Sequence, residues 1–183
     1  MGIEATSVYA HHAKVYDARA SKMHEEHGNL FELPNLHMSQ RTEDSMKINQ
    51  IKSGAIIIAG SGMCTGGRIK HHFKYNIWRQ HSHVLIVGFQ AQGTLGRALV
   101  NGTKRISLWG ENIQVKAKIH TIGGLSAHAD QQGLMDWYSQ FETRPRIALV
   151  HGETDAMNAL AAKLKDKYQA DVIQAEFKQK LEL

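Results

Sequence analysis

Hydrophobic and polar residues follow two different patterns along the chain, with a change near residue 104. Before that point, continuous apolar runs at 55–59 and 84–88 stand between longer amphipathic stretches. Apolar runs of this length are typical of strands that are buried on both faces of a parallel sheet. Periodicity and capping residues also predict a short strand at 37–39 and helices over 3–12, 17–26, 43–51, 67–78 and 95–100. This half is therefore predicted to be a Rossmann-like, doubly wound α/β unit.

After residue 104 the apolar residues alternate with polar ones. Strands are predicted over 106–109 and 113–122, joined by a hairpin turn at 110–112. In the second strand, apolar residues at every other position from Ile113 to Ile119 predict one buried face and one face in contact with solvent. Helices are predicted at 131–141 and 155–168, and strands at 146–150 and 171–174. We expect a domain border near residue 104, which divides the chain into 1–104 and 105–183.

Composition narrows the possible classes of protein only slightly. The 22 basic and 17 acidic residues give a net charge of +5, which suits a polyanionic partner. The single cysteine, Cys64, excludes a disulfide framework and fits a cytoplasmic location. The apolar runs are far shorter than the roughly 20 residues that span a bilayer, so no membrane segment is predicted. Six of the twelve histidines lie in polar helical stretches and are predicted to be solvated: His11, His12, His24, His27, His71 and His72.

Two other histidines stand where a predicted strand gives way to a loop or a helix. His151 follows the apolar run 146–150 and precedes Gly152, which would allow a sharp turn of the backbone. A neutral imidazole at the end of a rigid strand is a good zinc ligand, and Glu153 is the nearest acceptor that could orient it from a second shell. The alternative is that His151 caps the following helix or forms a hydrogen bond within the sheet edge.

The residues around His128 suit a phosphate anion. Ser126, Ala127 and His128 offer a hydroxyl, backbone N–H groups and an imidazole just before the helix predicted to start at 131. In the alternative, Ser126 or Asp130 is an N-cap and His128 points into solvent. We expect Asp130 to cap the helix in either case.

The glycine-rich loop from Gly60 to Arg68 resembles a phosphate cradle but fails two stricter patterns. A Walker A loop needs Lys and then Ser or Thr after its last glycine, and a dinucleotide fingerprint needs a third glycine where Thr65 stands. A nucleotide cofactor is therefore disfavoured. Ser61, Gly62 and Arg68 remain candidates for contact with a phosphodiester, and the alternative is a tight turn that only permits close packing. Arg97 is expected to form a structural ion pair.

The segments 56–68, 93–97, 123–130 and 148–153, in this order, resemble the β-CASP branch of the metallo-β-lactamase superfamily, which contains RNA-processing nucleases. The resemblance covers nearly the whole chain. It implies a β-CASP α/β unit followed by the C-terminal returning segment of a metallo-β-lactamase αββα fold. It also implies that His151 binds one of two zinc ions, that His128 acts catalytically at the scissile phosphate, and that RNA is the partner.

The family's His-x-His-x-Asp-His signature, which supplies most of the zinc ligands, does not occur in this sequence. His81-Ser82-His83 matches its first half, but Val84, Leu85 and Ile86 follow. The resemblance therefore implies the C-terminal part of a zinc-dependent ribonuclease, whose other ligands belong to a missing N-terminal half. We expect the chain alone to bind zinc weakly or not at all. We also expect an exposed apolar seam that favours self-association, so a homo-oligomer is possible.

Two other classes of protein remain open. One is a non-catalytic RNA-binding or assembly module of the same fold, and the other is a nucleotide-binding α/β domain. Aromatic side chains do not form an evident stacking ladder, because five of them fall at positions expected to pack: Trp78, Phe89, Trp109, Trp137 and Phe141. RNA would then be held mostly by its backbone, with little sequence preference.

Overall fold

A computed structural model describes residues 2–126 and 128–181 of the chain. Within these residues, polar capping side chains set several helix boundaries. Asp17 accepts a hydrogen bond from the backbone N–H of Ala20, as predicted, and Gly28 ends that helix with a positive φ of 76°. The α-helices of the described residues are α1 (Gly2–His11), α2 (Ala18–His27), α3 (Thr42–Ile48), α4 (Gly67–Asn76), α5 (Leu95–Val100), α6 (Gln131–Ser139) and α7 (Thr154–Tyr168). Short 3-10 turns occupy Ala13–Val15 and Gly123–Leu125.

The strands are short, and two of their pairings define the local architecture. They are β1 (His83–Ile86), β2 (Arg105–Leu108), β3 (Glu111–Gln114), β4 (Lys118–Thr121), β5 (Ile147–Leu149) and β6 (Val172–Gln174). Strands β2 and β3 form an antiparallel hairpin in which Ile106 lies opposite Ile113. Strands β5 and β6 are parallel, with Ile147 opposite Val172. The mixed α/β fold class is therefore confirmed.

Contacts divide the chain into two units. Unit 1 comprises Met1–Val84 and Gly102–Lys118, and unit 2 comprises Leu85–Asn101 and Ile119–Leu183. The predicted domain border near residue 104 stays a prediction. No helix within residues 2–126 and 128–181 combines the length and the apolar character that crossing a bilayer requires.

Unit 2 is built on a strand, helix, strand sequence in which α7 connects the parallel strands β5 and β6. Its core contains the buried residues Met135, Tyr138, Leu149, Ala161, Leu164 and Ala170, contributed by α6, β5, α7 and the segment before β6. The hydroxyl of Tyr138 donates a hydrogen bond to the carbonyl of Pro145 at 2.9 Å, so its polar end is satisfied although the ring is buried. The chain leaves β5 at its carboxyl end and returns through α7 to the start of β6, as a parallel pair requires.

Unit 1 contains the β2–β3 hairpin and helix α4. The hairpin turns through Trp109 and Gly110, which have φ values of 50° and 81°. Positive φ at both positions is the type I′ geometry that two-residue hairpins prefer. Burial alternates from residue 113 to residue 119, as predicted, although the expected single strand over 113–122 is divided into β3 and β4.

The prediction of a buried strand at 55–59 is wrong. This segment has no regular secondary structure, and Ile56 and Ile58 are 90% and 89% exposed. A strand that is buried on both faces needs paired strands beside it and packed layers above and below it. The described residues provide no strand that pairs with 55–59. The predicted short strand at 37–39 is also absent from this part of the chain.

The five aromatic residues expected to pack are substantially exposed, so that prediction is wrong. Their exposed fractions are 50% for Trp78, 60% for Phe89, 54% for Trp109, 57% for Trp137 and 37% for Phe141. Trp137 and Phe141 are four residues apart and contact each other with ring centroids at 4.9 Å, and Phe141 also contacts the buried ring of Tyr138 at 6.3 Å. Apolar character alone did not determine which side of each element faces the core.

His72 was predicted to be solvated, and this prediction is wrong as well. The residue is 5% exposed on α4, with Nε2 at 3.4 Å from the hydroxyl of Ser45 and Nδ1 at 3.3 Å from the side-chain oxygen of Asn49. Burial lowers the pKa of His72, and the nearby charges of His71 and Arg68 lower it further. The imidazole is therefore held neutral in the folded chain more strongly than in the unfolded chain.

This lowered pKa predicts a loss of stability in acid. The unfolded chain binds a proton at His72 more readily, so the contribution of His72 is fully present above its unfolded pKa and is lost as the pH falls through its folded pKa. We expect the urea midpoint of His72→Gln to fall less than that of the wild type between pH 7.5 and pH 5.5. His81→Gln, at an exposed position, is the matched control and should keep the wild-type dependence. Equal slopes for all three proteins would contradict the assignment.

Candidate functional site

His151 lies two residues beyond the end of β5, in the connection to α7. It is exposed and adopts a φ of 62°, a left-handed conformation that histidine enters more readily than most residues. The sequence suggested that Gly152 would make this turn, but His151 itself makes it. Gly152 is needed for a different reason, because a Cβ atom there would lie 2.6 Å from Cγ of Met157. Close packing of the turn on α7 thus leaves the imidazole on the surface of unit 2.

The carboxylate of Glu153 anchors the segment that precedes α5. It accepts a hydrogen bond from the backbone N–H of Gln92 at 3.0 Å, and its other oxygen lies 3.3 Å from Nη2 of Arg97. Both side chains of this ion pair are about one quarter to one third exposed. The expected structural ion pair of Arg97 is therefore present. Among the described residues, the carboxylate bonds that the structure gives Glu153 go to Gln92 and Arg97, so an orienting role toward His151 stays a prediction.

The loop that carries His128 is organised by Ser126. The hydroxyl of Ser126 accepts a hydrogen bond from the backbone N–H of His128 at 3.2 Å and lies 3.4 Å from its Nδ1 atom. Asp130 caps α6 as expected, since Oδ1 accepts from the N–H of Gly133 at 2.8 Å. Ala127 lies outside the described residues. An exposed imidazole and a hydroxyl therefore stand together shortly before the N-terminus of a nine-residue helix.

A pocket of about 300 Å³ adjoins this loop within unit 2. It shares Ser126 with the His128 loop, and its other walls are mostly apolar or backbone. The lining residues are Ile86, Gly88, Phe89, Thr121, Ile122, Gly123 and Ser126. A pocket of this size approaches the lower limit for small-ligand sites.

The glycine-rich loop in unit 1 closes on itself. The hydroxyl of Ser61 accepts from the N–H of Gly66 at 3.2 Å, and the carbonyl of Gly60 accepts from the N–H of Ile69 at 3.1 Å. Gly67 has a φ of 68°, and a Cβ atom there would lie 2.7 Å from the carbonyl oxygen of Gly60. Cys64 is buried in this loop, and burial raises the pKa of its thiol. The glycines therefore serve a tight turn, and contact of Ser61 or Gly62 with phosphate stays a prediction.

Arg68 holds this loop to the segment before α3. Its guanidinium donates to the carbonyl of Ser39 and, at 2.9 Å, to the carbonyl of Gln40. This forked contact with two neighbouring carbonyls uses the planar geometry that would also suit a phosphodiester. Sequence reasoning did not find this structural role, because the two partners lie 28 and 29 positions away in the chain.

The described residues do not form a metal site by themselves. A catalytic zinc ion generally takes three protein ligands. Within residues 2–126 and 128–181 there is no group of three or more His, Cys, Asp or Glu side chains that could hold a metal ion. The donor set of the described residues therefore does not fit a complete zinc site.

Two known protein families match this chain, one over its first half and the other over most of its second half. The first family is described as the Beta-Casp domain and matches residues 1–99. The second is described as the Zn-dependent metallo-hydrolase RNA specificity domain and matches residues 112–175. Because the first match covers more than half of the chain, the chain belongs to the Beta-Casp family.

Curated relatives are similar over most of the chain but are much longer. Ribonuclease TTHA0252 of Thermus thermophilus is 37% identical over 132 residues, which are 72% of this chain and 30% of the relative. Transcription termination factor FttA of Pyrococcus abyssi is 32% identical over 172 residues, which are 90% of this chain and 26% of the relative. FttA of Thermococcus kodakarensis is 38% identical over 120 residues, which are 62% of this chain and 18% of the relative. The chain thus spans less than a third of the length of these relatives.

The glycine loop offers a test with a matched pair of variants. Gly67→Ala should destabilise the chain by about 2 kcal/mol, because a Cβ atom meets a bonded carbonyl and a side chain disfavours positive φ. Gly66→Ala should cost less than about 1 kcal/mol, since its φ is −150° and a Cβ atom there meets open space. Urea unfolding at neutral pH measures both. Equal destabilisation by the two variants would show that the close approach at Gly67 is wrong.

Proposed function

We propose that this chain is the C-terminal part of a zinc-dependent ribonuclease that hydrolyses RNA phosphodiester bonds. The observation that carries the proposal is the display of His151 and His128 on exposed turns that precede two helices of the same unit. Membership of the Beta-Casp family and similarity to a protein named ribonuclease support it. We further propose that it is a soluble protein of the cytoplasm that forms a homo-oligomer.

His128 and Ser126 supply the groups that act on the phosphate in this proposal. An imidazole and a hydroxyl 3.4 Å apart can donate hydrogen bonds to phosphate oxygens, and the imidazole can give a proton to the departing oxygen. The N-terminus of α6 adds a favourable dipole, although Asp130 occupies part of it as the cap. Ser61, Gly62 and Arg68 contribute contacts with the RNA backbone from unit 1.

His151 contributes one ligand to zinc in the longer protein, and the remaining ligands come from polypeptide outside this sequence. Zinc would supply Lewis-acid chemistry at the phosphate. Glu153 supports the turn of His151 indirectly, through its bonds to Gln92 and Arg97. The exposed isoleucines at 56 and 58 provide the apolar seam on which strands of the missing half would dock.

A non-catalytic RNA-binding or assembly module is the second candidate. Similarity to proteins named transcription termination factor favours keeping it, because that name describes an outcome and not a cleavage. The two histidines discriminate between the candidates, since a module without catalysis has no need for either one on an exposed turn.

Zinc analysis of the isolated chain tests the incomplete donor set. We expect well below one tightly bound zinc ion per chain after dialysis, because one imidazole cannot replace three ligands. His151→Ala should leave this low value unchanged. Two stoichiometric zinc ions on the isolated chain would refute the claim that the other ligands lie elsewhere.

Variants of the longer protein that contains this chain test the two histidine roles separately. His151→Ala should lower bound zinc and RNA cleavage together. His128→Ala should lower turnover by about 10²–10⁴-fold while bound zinc is retained, because a general acid is lost and no metal ligand is removed. His27→Ala, at an exposed position of α2, serves as the control and should change neither. Normal cleavage by both variants would favour the non-catalytic module.

A further inference from the structure

The tip of the β2–β3 hairpin in unit 1 carries an exposed tryptophan beside a lysine and a histidine. Trp109 is 54% exposed, the ammonium of Lys70 lies 4.9 Å from its ring centroid, and the ring of His71 lies 4.5 Å from it. Lys70 and His71 belong to α4. We propose that these three residues, named here the Trp109 platform, bind single-stranded RNA: an unpaired base stacks on the exposed part of the Trp109 ring, and Lys70 contacts the neighbouring phosphate.

The backbone at Trp109 indicates that its position has a use beyond the fold. Trp109 is the first of two turn residues in a type I′ hairpin, with a φ of 50°. Asn, Asp and Gly are the residues that favour this position, and a bulky side chain there is unusual. A residue that is unfavourable for the turn and half exposed to solvent does not stabilise a core. Backbone conformations of this kind are found preferentially at functional sites.

The net charge of the unit that carries the platform suits a polyanion. Unit 1 has 14 basic and 8 acidic residues, a net charge of +6, whereas unit 2 has 8 basic and 9 acidic residues, a net charge of −1. The nearby Lys74 is paired with Glu111 at 2.5 Å, which holds α4 to the hairpin and leaves its charge compensated. Lys70 has no carboxylate partner among the described residues, so its ammonium can contact the phosphate next to a stacked base.

Single-stranded RNA fits this chemistry better than duplex RNA. A base stacks on an aromatic face only when it is not already stacked in a helix, and such contacts are tolerant of sequence. The inference rests on the proposed function for the choice of RNA as ligand. It adds a base contact in unit 1 that backbone recognition at Ser61, Gly62 and Arg68 does not include.

Fluorescence anisotropy with a labelled uridine 8-mer at low salt, in the presence of a chelator, tests the platform without any cleavage. Trp109→Ala should weaken binding by about 5- to 150-fold, the usual range for loss of one base–aromatic stack. Trp109→Phe should recover most of the affinity. Trp78→Ala is the matched control, because Trp78 lies in the same unit, is 50% exposed and has the guanidinium of Arg79 at 5.6 Å from its ring centroid. Unlike Lys70, Arg79 is also bonded to a backbone carbonyl, that of Ile51.

Further measurements separate stacking from charge and from folding. An abasic 8-mer should bind the wild type and Trp109→Ala equally, and Lys70→Ala should reduce the salt dependence of uridine 8-mer binding by about 0.7 in log–log slope. Circular dichroism of Trp109→Ala, Trp109→Phe and Trp78→Ala establishes that the comparison is between folded proteins. Equal losses in Trp109→Ala and Trp78→Ala, or no binding of the 8-mer by the wild type, would overturn the platform. Failure of the longer protein to cleave RNA would overturn the proposed nuclease and leave this result unaffected.

Discussion

The packing of helix α7 on strands β5 and β6 is the constraint on which the candidate site in unit 2 depends. Leu149 and Leu164 are almost fully buried in this contact, and the strands run parallel with α7 as their connection. Parallel pairing requires a crossover connection, which α7 supplies, and only four residues separate the end of β5 from the start of α7. The turn is therefore tight, and His151 adopts its left-handed conformation on the surface. Glu153 then lies where it can bond to Gln92 and Arg97.

Features that depend on neighbouring residues were predictable from the sequence. Asp17 and Asp130 cap their helices as expected, because a cap needs only a side-chain oxygen and the N–H groups two or three positions later. The alternation from residue 113 to residue 119 was likewise visible, since side chains alternate along any extended chain. The ion pair of Arg97 was expected, but its partner was not, because Glu153 is 56 positions away.

Features that depend on distant partners were not predictable. The run at 55–59 has the composition of a buried strand, yet burial needs neighbouring strands, and Ile56 and Ile58 remain exposed. His72 lies in a polar stretch, yet one face of α4 packs near Ser45 and Asn49 and buries it. Gly152 was assigned to a turn for its conformational freedom, but the space that it leaves for Met157 is the actual requirement. In each case composition indicated the residue's chemistry correctly but not its contacts.

The two units differ in the kind of chemistry that their residues can perform. Unit 1 has most of the positive charge and the exposed Trp109, which favours attraction and holding of a polyanion. Unit 2 has a slightly negative net charge but displays His128 and His151, whose imidazoles suit proton transfer and metal coordination. A site that performs chemistry gains little from additional positive charge that binds substrate and transition state equally, because uniform binding does not accelerate the chemical step. In the proposed nuclease, the charge of unit 1 therefore serves long-range attraction of a polyanion, whereas acceleration of the chemical step has to come from groups such as the imidazoles of unit 2.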